Sequence, residues 1–124
     1  MIAKKSWSNW SNWTNTLEKT LDHVQKEIAG DAPIAELRTK AGKAGTGNVL
    51  DVDTMATEAQ DGACWVLSSK DLHDHFGSKH PTKHGIEGGI ESFLGKLKPG
   101  QSVAVTSFTR GLPTAVLFAG WPRH

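Results

Sequence analysis

A single cysteine, Cys64, in 124 residues leaves no partner for an internal disulfide, so no covalent framework holds this chain together. An excess of charge is missing too. Fourteen lysines and arginines stand against thirteen aspartates and glutamates, a formal net charge of +1, which offers no overall electrostatic footprint for phosphate backbones or anionic lipid. Long apolar runs are also lacking: the longest, Ala115 to Trp121, falls far short of the roughly 20 residues a bilayer-spanning helix needs. The opening Met1-Ile2-Ala3-Lys4-Lys5 has no apolar centre of the kind a secretory leader carries. These absences lead to the expectation of a cytoplasmic protein without a membrane segment.

The hydrophobic share is a lean 37%, but five Trp and four Phe supply large apolar area per residue. A chain of this length buries roughly two-thirds of its unfolded surface. One core is enough, and residues 1–124 are expected to form a single domain.

Wound at about 100° per residue, Trp7, Trp10, Trp13, Leu17, Leu21, Val24 and Ile28 share one stripe about 120° wide, which predicts a continuous amphipathic helix of about 24 residues over 6–29. Ser6 or Ser8 would cap its start and Gly30 would stop it. Asp31 is expected to cap a second short helix carrying Ile34 and Leu37, with Pro33 in its first turn. Gly42 to Asn48 reads as a flexible internal loop, Val49-Leu50-Asp51-Val52 as a short strand, and 54–61 has no clear assignment. Ala63 to Leu67, apolar on both faces, reads as a central strand. Ser69 would cap a helix from Lys70 to Phe76 that Gly77 ends.

Further on, Ile86, Ile90, Phe93, Leu94 and Leu97 share a stripe that predicts an amphipathic helix over 86–97, closed by Pro99-Gly100. Ser102 to Thr109 and Thr114 to Ala119 read as antiparallel strands joined by a tight turn over Arg110 to Pro113. The expected class is α+β: an antiparallel or mixed four-stranded sheet covered on one face by helices, opened by a long N-terminal amphipathic helix.

Chemistry-bearing residues are few. Trp7, Trp10 and Trp13, spaced three apart, are candidate anchors for a partner, because Trp is enriched at binding hot spots. Gly88 and Gly95 lie opposite the apolar stripe of their helix, a bare face that lets another backbone approach. The helix over 6–29 balances Glu18, Asp22 and Glu27 against Lys19, His23 and Lys26, so it lacks the basic bias that an anionic membrane surface requires. Asn9-Trp10-Ser11 and Asn12-Trp13-Thr14 match a glycosylation sequon, which is expected to be coincidence in a protein expected to be cytoplasmic.

His73, His75, His80 and His84, interleaved with Lys79 and Lys83, form the candidate catalytic cluster: one imidazole would remove a proton, another donate one, and a lysine steady a charged phosphate. His80 and His84 have a spacing that suits two metal ligands on a helix face, yet the glutamate of a zinc protease is missing. Cys64, inside an apolar strand, reads as a core thiol with a raised pKa. The glycines from Gly42 to Gly47 lack the spacing of a phosphate-binding loop. No cofactor or metal is expected.

The expected function is a non-enzymatic interaction or assembly subunit that binds a protein partner, or forms a homo-oligomer, through the aromatic N-terminal helix. The alternative is a small His-dependent hydrolase of the RNase-toxin type, with nucleic acid engaged only through residues 73–84. A metal-binding module comes third.

Overall fold

The computed structural model describes residues 5–42 and 45–123. In chain order it contains β1 (Trp7–Asn12), α1 (Leu17–Ala29), α2 (Ile34–Ala41), a 3-10 turn (Val49–Asp51), β2 (Thr54–Ala56), β3 (Ala63–Val66), α3 (Ser69–Phe76), α4 (Lys83–Leu94), β4 (Ser102–Thr109) and β5 (Leu112–Gly120). Lys43 and Ala44 of the expected flexible loop, and Met1 to Lys4 of the opening segment, lie outside the described residues.

The class is α+β, and the sheet is mixed and five-stranded in the order β1-β5-β4-β3-β2. β1 and β4 each run antiparallel to β5, whereas β4, β3 and β2 are mutually parallel. The fifth strand comes from the segment expected to open a helix. Trp7 to Asn12 pairs with β5 from Trp7↔Gly120 to Asn12↔Ala115, so the continuous helix over 6–29 does not form. Its first half repeats Trp-Ser-Asn. Ser and Asn are poor helix formers that compete for backbone hydrogen bonds, and Trp favours strands. The helix begins only where Thr16 caps it, accepting from the amide of Lys19 at 3.1 Å. Neither Ser6 nor Ser8 serves as a cap.

Two further expectations are corrected. Val49 to Val52 is a 3-10 turn and its exit, because its carbonyls, which a neighbouring strand would have to satisfy, are taken by side chains. Gln25 Nε2 donates to the carbonyls of Val49 and Val52 at 3.0 and 2.9 Å. Arg38 reaches the carbonyls of Leu50 and Val52 at 2.6 and 2.7 Å. Pro33, not Asp31, occupies the capping position of α2, with no side-chain cap.

Other local signals hold with small shifts. Ser68 and Asp71 close a reciprocal capping box on α3, and Gly77 ends that helix in the left-handed region at φ 79°. Thr82 caps α4, so the helix starts ahead of Ile86 and stops at Leu94. The β4–β5 hairpin turns on Arg110 and Gly111, both at positive φ (54° and 80°), the backbone that a two-residue turn of matching twist demands. Pro113 therefore sits inside β5, at the register shift beside Ser107 and Phe108, where its missing N–H is tolerated.

Helices cover both faces of the sheet, not one. On the first face Leu21 and Val24 of α1 pack with Trp7, Val49, Val52, Cys64, Ala104, Val116 and Phe118. On the second, Leu72 of α3 and Ile86, Phe93 and Leu94 of α4 pack with Val103, Val105, Leu117 and Ala119. Alternate residues of β4 and β5 feed opposite cores, which explains why Val103 to Val105 and Val116 to Ala119 are buried without a break.

Candidate aromatic edge and histidine segment

β1 is an outer strand, and the direction of its backbone groups follows from one bond. The amide of Trp13 donates to the carbonyl of Thr114 at 2.9 Å, extending the β1–β5 register by one residue. In an antiparallel ladder alternate residues turn both backbone groups to the same neighbour. Trp7, Asn9 and Ser11 therefore face β5, while Ser8, Trp10 and Asn12 face outward. Among the described residues no backbone or side-chain acceptor meets the amides of Ser8, Trp10 or Asn12. The carbonyl of Asn12 takes a long bond, 3.4 Å, from Ser11 Oγ. The next outward amide, Thr14, donates to Thr20 Oγ1 at 3.1 Å, which closes the edge there.

Sheet edges are ordinarily blunted by charge, proline, a bulge or shortness. β1 has no charged residue and no proline, and its register with β5 runs unbroken. β2, at the opposite edge, is only three residues long, with Asp53 and Glu58 close by in the chain.

The three tryptophans divide between the faces. Trp7 is buried beside α1, 9% exposed, and half-buried Trp13 packs on the same cluster. Half-buried Trp10 lies on the other face against the α3–α4 cluster. The ammonium of Lys83 sits 4.8 Å from the centre of the Trp10 ring, a cation over the electron-rich face. Among the described residues, Trp7 Nε1 and Asn9 Oδ1 are buried without hydrogen-bond partners.

The histidine segment is spread over α3, the loop after it and the start of α4. His75 meets the ring of Phe93 edge-on at 4.8 Å and that of Trp65 at 6.4 Å, with Lys96 Nζ 3.5 Å from its Nδ1. His80 stands edge-on to Phe108 at 4.8 Å. His73 is exposed beside Asp74 at 3.7 Å. The hydrogen bond from Lys70 holds the Asp74 carboxyl below its ordinary range, and His73 adds to the effect. His84 and Lys79 are exposed, and Lys83 is engaged with Trp10. Among the described residues no hydrogen bond joins any two of His73, His75, His80 and His84, and no three His, Cys, Asp or Glu side chains are placed to hold a metal ion.

Cys64 is fully buried on the α1 face. Burial pushes its thiol up to about 12, against a smaller lowering by Ser102, so it stays protonated and out of reach of a substrate.

Gly88 has open space around it, and Gly95 caps α4. The glycine that admits a close approach is Gly89, where an added Cβ would lie 3.1 Å from the Phe76 ring and 3.7 Å from the carbonyl of His75. At about 100° per residue it flanks the apolar stripe of α4, and that phase is the signal that distinguishes it from Gly88.

A cavity of about 470 Å3 lined by Asp53, Asp61, Gly62, Pro99, Gly100 and Arg123 lies where β3 and β4 begin. Its charged groups are engaged with protein: Asp53 with Arg38 at 2.9 Å, Asp61 with Gln101 and Arg123 with the Asp51 carbonyl, both at 3.4 Å. Another, about 400 Å3, is lined by Lys5, Ser6, Glu91, Leu94 and Trp121 beside the start of β1. Among the described residues no helix is long and apolar enough to cross a membrane.

Comparison with models of protein families, with curated proteins and with solved structures gives no match for this chain.

Proposed function

We propose that this chain is a non-enzymatic protein-interaction module that receives an extended segment of a protein partner along the outer side of β1. The observation that carries this reading is an unblunted edge strand: Ser8, Trp10 and Asn12 point their backbone groups outward from a segment without charge, proline or bulge. An added strand would gain main-chain hydrogen bonds there, each worth about 0.5–1.5 kcal/mol net. Pockets for alternate side chains would supply selectivity. Trp10, half-buried and steadied by Lys83, supplies the aromatic anchor, and Trp7 contributes by holding the strand to the core.

The test uses a displayed library of extended peptides selected against the full chain, followed by amide hydrogen exchange. Selected peptides should slow exchange at Ser8, Trp10 and Asn12 and leave amides that face β5 unchanged. They should lose binding to Ser8→Pro, whose missing donor faces away from β5. Peptides that bind without protecting those three amides would remove the reading, as would a library that yields no binder to a chain shown to be monomeric.

A further inference from the structure

We infer that the strand seated on β1 is β1 of a second copy, paired antiparallel about a two-fold axis through Trp10; this rests on the edge reading above and names its partner.

The geometry permits few registers. Only outward-facing residues can exchange hydrogen bonds across the new junction, so Ser8, Trp10 and Asn12 must oppose one another. A two-fold antiparallel pairing that obeys this has its axis through a residue, never between Asn9 and Trp10. With the axis at Trp10, each Trp10 faces its mate and Ser8 faces Asn12 of the other copy. Trp7 then faces Trp13, and the spacing Trp7, Trp10, Trp13 reads the same in both directions. Every tryptophan of the segment thereby meets a tryptophan, Trp10 on the α3–α4 face and the other two on the α1 face. With the axis one residue earlier, at Asn9, Trp10 would face Ser8 and Trp7 would face Ser11, and no aromatic pair would form.

Directly opposed aromatic residues on one sheet face are among the stabilising cross-strand pairs. Trp7 to Asn12 carries no charge, and each of the two Lys83 ammoniums that the axis brings onto the same face lies over a Trp10 ring. Three opposed residue pairs, each exchanging two bonds, would give about six main-chain hydrogen bonds across the axis.

The assembly also closes. Pairing consumes the long edge of each copy and leaves outermost only the three-residue β2, too short to recruit another strand. A two-fold contact of one patch with itself ends at a dimer.

The experiment combines mass and register. Sedimentation equilibrium of the full chain over a concentration series should show a mass twice that of the monomer. Ser8→Pro should shift the chain to monomer while far-ultraviolet circular dichroism stays unchanged. The double variant Ser8→Cys/Asn12→Cys should then link into covalent dimers under mild oxidation, since opposed residues of a hydrogen-bonded pair lie about 5.5 Å apart at Cα, within disulfide reach. Ser6→Cys/Asn12→Cys, matched to an axis at Asn9, should not link. Buried Cys64 takes no part.

A monomeric mass at every concentration overturns self-pairing, as does a dimer in which Ser8→Cys/Asn12→Cys fails to link or Ser6→Cys/Asn12→Cys links instead. If the chain is monomeric but selected peptides still protect Ser8, Trp10 and Asn12, the edge reading stands and only the identity of the partner falls.

Discussion

The ammonium of Lys83 lies 4.8 Å from the centre of the Trp10 ring, joining the first residue of α4 to the outermost strand. A cation over an aromatic face at an exposed position contributes about 0.5–1 kcal/mol. Lys83→Met should lower the urea unfolding free energy by that amount, and Lys83→Arg should preserve it. Equal stability of Lys83→Met and the wild type would show that the contact contributes nothing.

Trp7 and Trp10 should respond differently to truncation. Trp7 is 9% exposed and packs with Leu21, Val24 and Phe118, so Trp7→Ala opens a core cavity and should cost about 3–5 kcal/mol. Trp10→Ala, at a half-buried site, should cost clearly less in the same thermal unfolding series. If Trp7→Ala melted like the wild type, the assignment of Trp7 to the core would be wrong.

Glycine replacements should change sign with position. At Gly88 an added Cβ meets nothing within 4 Å, so Gly88→Ala should stabilise α4 by up to about 1 kcal/mol through helix propensity. At Gly120 it would come within 2.6 Å of both the Gln101 carbonyl oxygen and Ser102 Cβ. Backbone must move there, and Gly120→Ala should destabilise by about 1–3 kcal/mol. Chemical denaturation of the two variants checks both signs.

Cys64 predicts an alkaline weakness. Its thiol stands at about 12 in the folded chain against an ordinary 9.0, so between those values the unfolded chain has lost a proton that the folded chain keeps. Stability from this group is complete below pH 9 and falls as pH rises toward 12, by about 4 kcal/mol for a three-unit difference. Wild type should therefore lose stability over that window more steeply than Cys64→Ala. A thiol reagent should react with native protein only as fast as the protein opens. Rapid stoichiometric labelling under native conditions would contradict the burial.

The histidine segment shows where nearness in sequence misleads. His73, His75, His80 and His84 crowd into a short stretch, yet α3, its loop and α4 send His75 to Phe93 and Trp65, His80 to Phe108, and leave the other two in solvent. An acid and base pair requires converging rings, and convergence is a property of helix direction that residue type cannot specify.

What the sequence determined by itself was whatever a few adjacent residues can settle. Gly77 ends α3, Arg110 and Gly111 turn the hairpin, and the stripe from Ile86 to Leu94 winds α4, because caps, positive φ and helical phase act over one or two turns. The start of α3 was legible only to within a residue: the cap is Ser68, boxed with Asp71, and the expected cap Ser69 is the first residue of the helix.

Tertiary structure decided the rest. A spacing of three residues suits a drifting helix stripe and also a strand that alternates faces, so Trp7 to Asn12 was undetermined until β5, at the far end of the chain, offered it a ladder. Gln25 and Arg38 settled the backbone of Val49 to Val52 in the same way, from α1 and α2. The Trp triplet was visible in the sequence; its place along a sheet edge was not, because hydrogen bonds between distant segments select among conformations that local preference leaves nearly equal in energy.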